Sequence, residues 1–343
     1  MKAAVLYGKE DVRLEEVPLP SLAAGEVLLK IGSALTCGTD LKVFRNGSHA
    51  RMIKPPALFG HEFSGTIEAV GPGVSSWKKG MRVVAANSAP CRRCFFCRKD
   101  QPNLCEDLLF VNGAYAEYLK IPARIVEENL LEIPEGLSFQ AAALTEPLAC
   151  VLRGWQALQS KRSESVAILG AGPVGLLFTQ LAAQAGARVT VAGKGARRLE
   201  MARACGAEEV ADISGTADAA QLIRQATAEG RGPDIVIEAV GRPAAWEQAI
   251  SLVRSGGRVL LFGGCPAGTK IPLDAPRMHY GELTLLSTFH HTPDSIRQAL
   301  RLLADRTVRA EPIVTRSVPL DDLPAILRQM LGGQDAVKTA IVP

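Results

Sequence analysis

Six residues, GAGPVG at 170–175, constrain this chain more than any other stretch. They join an apolar pentapeptide, SVAIL, to an apolar run, LLFTQLAAQAG. A glycine-rich turn between a buried strand and a helix has a physical purpose. Gly170 makes the tight turn, Gly172 lets a pyrophosphate approach the backbone, and Gly175 packs helix on strand. With Pro173 and Val174 the loop presents phosphates to a helix N-terminus, where free N–H groups and the dipole favour anions. Further along, RVTVAG, DIVIEAV and RVLLFGG alternate with stretches such as RRLEMARACG. Strands alternating with helices predict βαβ units and a doubly wound parallel sheet. LTLLSTF at 283–289 reads as one more strand, followed by a capped helix, PDSIRQALRLLAD.

Which dinucleotide binds depends on the end of the second strand. An acid there would accept hydrogen bonds from the ribose hydroxyls of NAD. This chain has Gly193 instead, followed by Lys194, Arg197 and Arg198. Removing the carboxylate removes its repulsion of a 2′-phosphate, and the cations offer charge-assisted bonds. NADP is the expected preferred cofactor, with NAD possible; the alternative is a solvated basic helix start.

Residues 1 to about 125 are written differently. AAVLY, EVLLKIGSAL, GTIEAV, MRVVAA and AEYLKI are short strands punctuated by Gly and Pro, a β-rich, barrel-like unit. Within it, CRRCFFCRKDQPNLC at 91–105 holds four of the chain's 8 cysteines. The N-terminus lacks the apolar run of a signal peptide, and no stretch approaches the ~20 apolar residues of a membrane span. A cytosolic protein is expected, where a tight cysteine cluster is more often a metal site than a disulfide framework. Cys91, Cys94, Cys97 and Cys105 would close a tetrahedral thiolate shell around a zinc, leaving no open position. Such a site is structural; an iron–sulfur cluster or unligated thiols are the other readings.

Chemistry must therefore lie elsewhere. CGTD at 37–40 and GHEFSGTIEAVGPGV at 60–74 place Cys37 and His61 at strand–loop junctions. With the adjacent Glu62 they can supply three ligands to one zinc and leave a position for water or substrate. Taken singly, Cys37 reads equally as a small hydrophobe and His61 as a core histidine. Glu146 in TEPLAC is a further acid to weigh with them.

Together these motifs resemble the zinc-containing medium-chain dehydrogenase/reductases, over nearly the whole length. The features are GHExxGx5GxxV at 60–74, the four-cysteine lobe, EPLA at 146–149 and GAGPVG. The resemblance implies an α/β fold: a Rossmann dinucleotide-binding domain plus a GroES-like β-rich catalytic domain. The expected division is 1–150 with the lobe at about 88–108, then 151–291, then 292–343 returning to the catalytic domain. Glutamate at 146 resembles the sorbitol, polyol and threonine dehydrogenase branch. By resemblance Cys37, His61 and Glu62 ligate a catalytic zinc, and Glu146 binds it directly, by exchange or through a water. Thr39 matches the hydroxyl residue that relays the alcohol proton.

Two positions depart from the pattern. Lys42 stands where relatives carry the outer histidine of the relay, and Ser287 stands where sorbitol dehydrogenases carry an arginine. His290 and His291 either reach the substrate cleft or cap a helix. The expected activity is oxidation of a secondary alcohol of a polyol, sugar or related polar metabolite. One catalytic and one structural zinc are expected in each chain. An amino-alcohol or simple secondary alcohol substrate with NAD is the alternative. A non-enzymatic NADP-binding or zinc-ribbon protein is the rival class. A nucleic-acid partner would need a clustered basic face with interleaved aromatics, yet net charge is +4 and aromatics are 5%. A homodimer or homotetramer is implied by resemblance.

Overall fold

The computed structural model of the chain describes residues 1–48, 52–215, 219–333 and 336–343. It divides into two compact units. One comprises Met1–Ala149, His291–Arg306 and Val314–Pro343; the other comprises Cys150–His290 and Thr307–Ile313. The division differs from the sequence-based one chiefly at 307–313, which the sequence reading assigned to the catalytic part.

The second unit is built on a six-stranded parallel sheet. Its spatial order is Glu209–Asp212, Arg188–Gly193, Ser165–Leu169, Ile235–Glu238, Arg258–Leu261 and Thr284–Leu286. Ser165–Leu169 and Ile235–Glu238 are buried along their whole length, as expected of strands covered on both faces. The strand order reverses beside Ser165–Leu169, the switch point at which open α/β sheets bind ligands. The expected strand LTLLSTF is shorter than its apolar run suggests. Pairing stops after Leu286, and Ser287 lies exposed beyond it.

The first unit is mostly antiparallel. Its larger sheet runs Leu130–Glu132, Arg82–Ala85, Phe63–Val70, Val27–Leu35, Lys338–Val342, Val314–Pro319, with Tyr118–Ile121 also paired to Val27–Leu35. Val27–Leu35 is buried at seven of its nine positions. The C-terminal strand joins it antiparallel, Ala340 opposite Leu35 and Ile341 opposite Ala34. Sequence order would never suggest that neighbour, but it carries Lys338 into the interior. A helix that sequence reading missed, Gly38–Asn46, starts directly after Cys37. CGTD is therefore a strand-to-helix corner rather than a loop. Thr292 caps the helix Pro293–Ala304 through a capping box with Ser295, so neither preceding histidine performs that role. His291 is instead buried, its Nε2 3.0 Å from Asn87 Oδ1.

Candidate active site and metal sites

The nucleotide loop follows from its glycines. Gly170 has φ of +115°, a left-handed turn that favours glycine. A Cβ on Gly175 would stand 1.8 Å from Gly170 O, so only glycine lets the helix Pro173–Gln184 pack this closely. A Cβ on Gly172 would meet nothing within 4 Å, which leaves this backbone bare toward open space. No side chain caps the helix, and its first N–H groups are available to a phosphate.

Gly193 has a second reason to be glycine that the sequence did not disclose. A Cβ there would lie 2.5 Å from Ala171 Cβ and 3.0 Å from Ala171 N. An acid at 193 would push on the phosphate loop itself. Beyond it, Gly195 opens the helix Ala196–Ala204 without a side-chain cap. The first turn of that helix holds no acid, only Arg197 and Arg198 as charged groups. Cations at a helix N-terminus oppose the macrodipole. They make sense when an anion sits there. Lys194 and Arg197 are exposed, and Arg198 is partly buried.

In the first unit the structure brings Cys37, His61 and Glu62 together, with ligand atoms all within 4.8 Å of one another. His61 is 4% exposed and Glu62 0%. Cys37 sits at the N-cap of Gly38–Asn46, its Sγ accepting from Thr39 N at 3.4 Å. Burial pushes its thiol pKa up, and Glu62 adds to the rise. His61 Nδ1 is 2.9 Å from Asp40 Oδ1, a carboxylate partner that fixes the tautomer and leaves Nε2 as the ligand nitrogen. Burial works against a charge on His61, but the Asp40 charge and hydrogen bond outweigh it and raise its pKa.

Glu62 reveals how the trio fits a cation. Lys338 Nζ, 2% exposed, lies 2.6 Å from Glu62 Oε2 as an ion pair and donates to Thr36 O at 2.7 Å. Among the described residues Glu62 Oε1 has no hydrogen-bond partner, and Oε2 is met by the Lys338 ammonium. A buried carboxylate in that state is costly, and a metal ion would satisfy it. Thiolate, imidazole and carboxylate together are a zinc donor set. Glu146 stands outside the trio, 7% exposed. Burial pushes its carboxyl up to about 7; the nearby His61 opposes that rise and Glu62 adds to it. Thr39 is partly exposed, and Lys42 is exposed one turn further along the same helix. Sequence reading missed Lys338, whose one signal was a lysine heading a buried strand, and the role of Asp40.

The four lobe cysteines also converge, with sulfurs all within 4.8 Å of one another. Cys94 Sγ and Cys105 Sγ are 3.8 Å apart, far from disulfide distance. The lobe is tied to the helix Ala123–Asn129 from both directions. Arg92 donates from Nε and Nη2 to Glu128, and Arg124 reaches Asp107 O at 2.8 Å and Oδ2 at 3.0 Å. Arg98 donates to Arg93 O. Part of the basic run is thus spent internally, which weakens a nucleic-acid reading further. Backbone donors pull Cys94 down to about 6, while burial pushes Cys105 up to about 12.

Comparison with known proteins agrees with this anatomy. Residues 23–135 match the alcohol dehydrogenase GroES-like domain, and residues 173–305 match the zinc-binding dehydrogenase family. A sorbitol dehydrogenase of Bacillus subtilis is 31% identical, covering 100% of this chain and 97% of its own. An L-threonine 3-dehydrogenase of Bacillus licheniformis is 30% identical, covering 100% and 99%. A zinc-binding dehydrogenase of Sinorhizobium meliloti, solved bound to NADP, superposes with a TM-score of 0.89 at 30% identity, covering 100% and 99%. No helix among the described residues is long and apolar enough to cross a membrane. From fold, site and relatives alike, the chain belongs to the zinc-containing medium-chain dehydrogenase/reductase family and is a zinc-dependent alcohol dehydrogenase in class.

Proposed function

We propose that the enzyme moves a hydride between NADP(H) and a secondary alcohol or ketone of a polyol, sugar or related polar metabolite. The observation that carries this reading is the buried Cys37–His61–Glu62 trio, in which Glu62 Oε1 has no hydrogen-bond partner among the described residues. The substrate class is supported by the sorbitol relative and by glutamate at 146. An amino-alcohol substrate is the second reading, favoured by the L-threonine relative.

Cys37, His61 and Glu62 would hold the catalytic zinc, with Glu146 binding it directly, by exchange or through a water; Cys91, Cys94, Cys97 and Cys105 would hold a structural one. When bound, zinc supplies Lewis acidity to the substrate oxygen and the nicotinamide takes the hydride. The chain's own part is positioning and proton handling. Asp40 holds the proton of His61 at Nδ1 and so keeps Nε2 a lone-pair donor. Thr39 accepts the substrate hydroxyl proton and passes it outward. Since Lys42 replaces the outer histidine, this relay ends in solvent. Gly170, Gly172, Pro173, Val174 and Gly175 seat the pyrophosphate. The four thiols of the lobe suit a reducing, cytoplasmic setting, and a dimer or tetramer is read from the resemblance alone.

The cofactor preference rests on Gly193 and its cations, and on the helix whose first turn carries no acid. A charge-assisted bond contributes roughly 1.5–3 kcal/mol, which exposure of Lys194 and Arg197 reduces. A preference for NADP of about tenfold in kcat/KM is expected. A panel of polyols, sugars and L-threonine, assayed with both cofactors by absorbance of the reduced form, tests substrate and cofactor together. Lys194→Ala with Arg197→Ala should erase the preference. A wild-type enzyme that prefers NAD would show the basic turn to be a solvated helix start. Gly193→Asp is a poorer test, because its Cβ collides with Ala171.

A further inference from the structure

Beyond the metal trio lies a residue that meets both Asp40, the partner of His61, and Gly60, which precedes His61. Tyr115 is 0% exposed. Its hydroxyl is 2.5 Å from Asp40 Oδ2 and 3.1 Å from Leu35 O. A phenol has one proton to give, and the shorter, charged acceptor takes it. Asp40 therefore has a donor on each oxygen, His61 on Oδ1 and Tyr115 on Oδ2. A carboxylate pinned at both ends cannot rotate away from the imidazole.

The ring of Tyr115 acts on the backbone. Gly60 precedes His61 with φ of +93°, and a Cβ there would lie 2.7 Å from the Tyr115 ring. The segment around the tyrosine is laced to the same place. Tyr115 N donates to Phe59 O at 2.9 Å, and Gly113 N to Gly60 O at 2.8 Å. Phe59 packs edge-on against the Tyr115 ring at 5.6 Å. One side chain thus fixes the chain direction entering His61 and the carboxylate that orients its ring.

We propose that Tyr115 is a positioning residue for the metal site, setting the orientation of His61 through Asp40 and Gly60. The inference rests on the reading of Cys37, His61 and Glu62 as metal ligands. Outer partners of ligating histidines typically contribute about 10–100-fold in metal affinity. One bond further out, about three- to tenfold is expected.

Tyr115→Phe keeps the ring and removes the hydroxyl. Cobalt(II) is titrated into wild type and variant with the lobe zinc in place, by chelator competition and by the visible absorption of the bound ion. Tyr115→Phe should bind cobalt about three- to tenfold more weakly and alter the visible band. The same substitution on an Asp40→Asn background should add nothing. Should Tyr115→Phe not fold, a fluorotyrosine placed at 115 keeps the shape while sharpening the donor, and it should shift the band. Unchanged affinity and spectrum with only a lower melting temperature would make Tyr115 merely structural and overturn the inference. Wild-type protein that takes up no cobalt at the trio would overturn the metal reading and this inference with it.

Discussion

His61→Ala is expected to lower kcat/KM at least about a thousandfold while NADP(H) affinity stays nearly unchanged. Lewis-acid stabilisation of developing charge contributes several kcal/mol, and each 1.36 kcal/mol is about tenfold in rate. His61 supplies the one imidazole of the trio, so its loss leaves a thiolate and a carboxylate already paired with Lys338. The pyrophosphate loop at 170–175 belongs to the other compact unit, which is why cofactor affinity should survive. Steady-state kinetics together with fluorescence titration of the reduced cofactor separate the two. A variant retaining half the wild-type rate would place the reactive metal elsewhere.

Cys97→Ser is expected to remove one zinc per chain and lower thermal stability sharply, while the enzyme that survives keeps its KM. Structural zinc contributes about 10 kcal/mol or more in small zinc-finger peptides, comparable with the whole stability of a domain. Here the ion pairs of Arg92 with Glu128 and of Arg124 with Asp107 would still tether the lobe. The loss should therefore be local opening first and global unfolding at lower temperature. The three remaining thiols cannot substitute for the fourth, because a closed thiolate shell needs all four sulfurs. Metal analysis beside a thermal melt checks the expectation. An unchanged zinc count would contradict the structural assignment.

How much of this was legible in the sequence depends on how far apart the partners lie. The nucleotide loop is local. Strand, turn and helix follow one another within twenty residues; Gly170 makes the left-handed turn and Gly175 the close packing that their spacing implies, while Gly172 faces open space. The lobe cysteines are likewise close in sequence, and their convergence was predictable. Cys37 and His61 came together as expected, although the helix Gly38–Asn46 was missed because CGTDLKVFRN carries only a short apolar pattern. The contacts that tune the site are long-range. Lys338 meets Thr36 across 302 positions, and Tyr115 meets Asp40 across 75. No local periodicity encodes either, since both arise from sheet pairing and from the packing of segments 59–60 and 113–115. The end of the strand at Leu286 was misjudged for a related reason. An apolar run reports burial tendency, whereas pairing length is set by the neighbouring strand Arg258–Leu261. At Gly193 the sequence shows the missing acid, but the second constraint, contact with Ala171, exists only once two strands lie side by side.

Selective metal removal tests the central reading most directly. The trio offers one thiolate and leaves an open position, whereas the lobe closes a shell of four thiolates, so a chelator should reach the metal of the trio first. Chelation, followed by metal analysis, should yield protein with the lobe zinc in place and the trio emptied. That protein should still bind NADP(H), should not oxidise any member of the alcohol panel, and should regain full turnover on addition of one equivalent of zinc. Full turnover by protein shown to hold no metal at Cys37, His61 and Glu62 would contradict it.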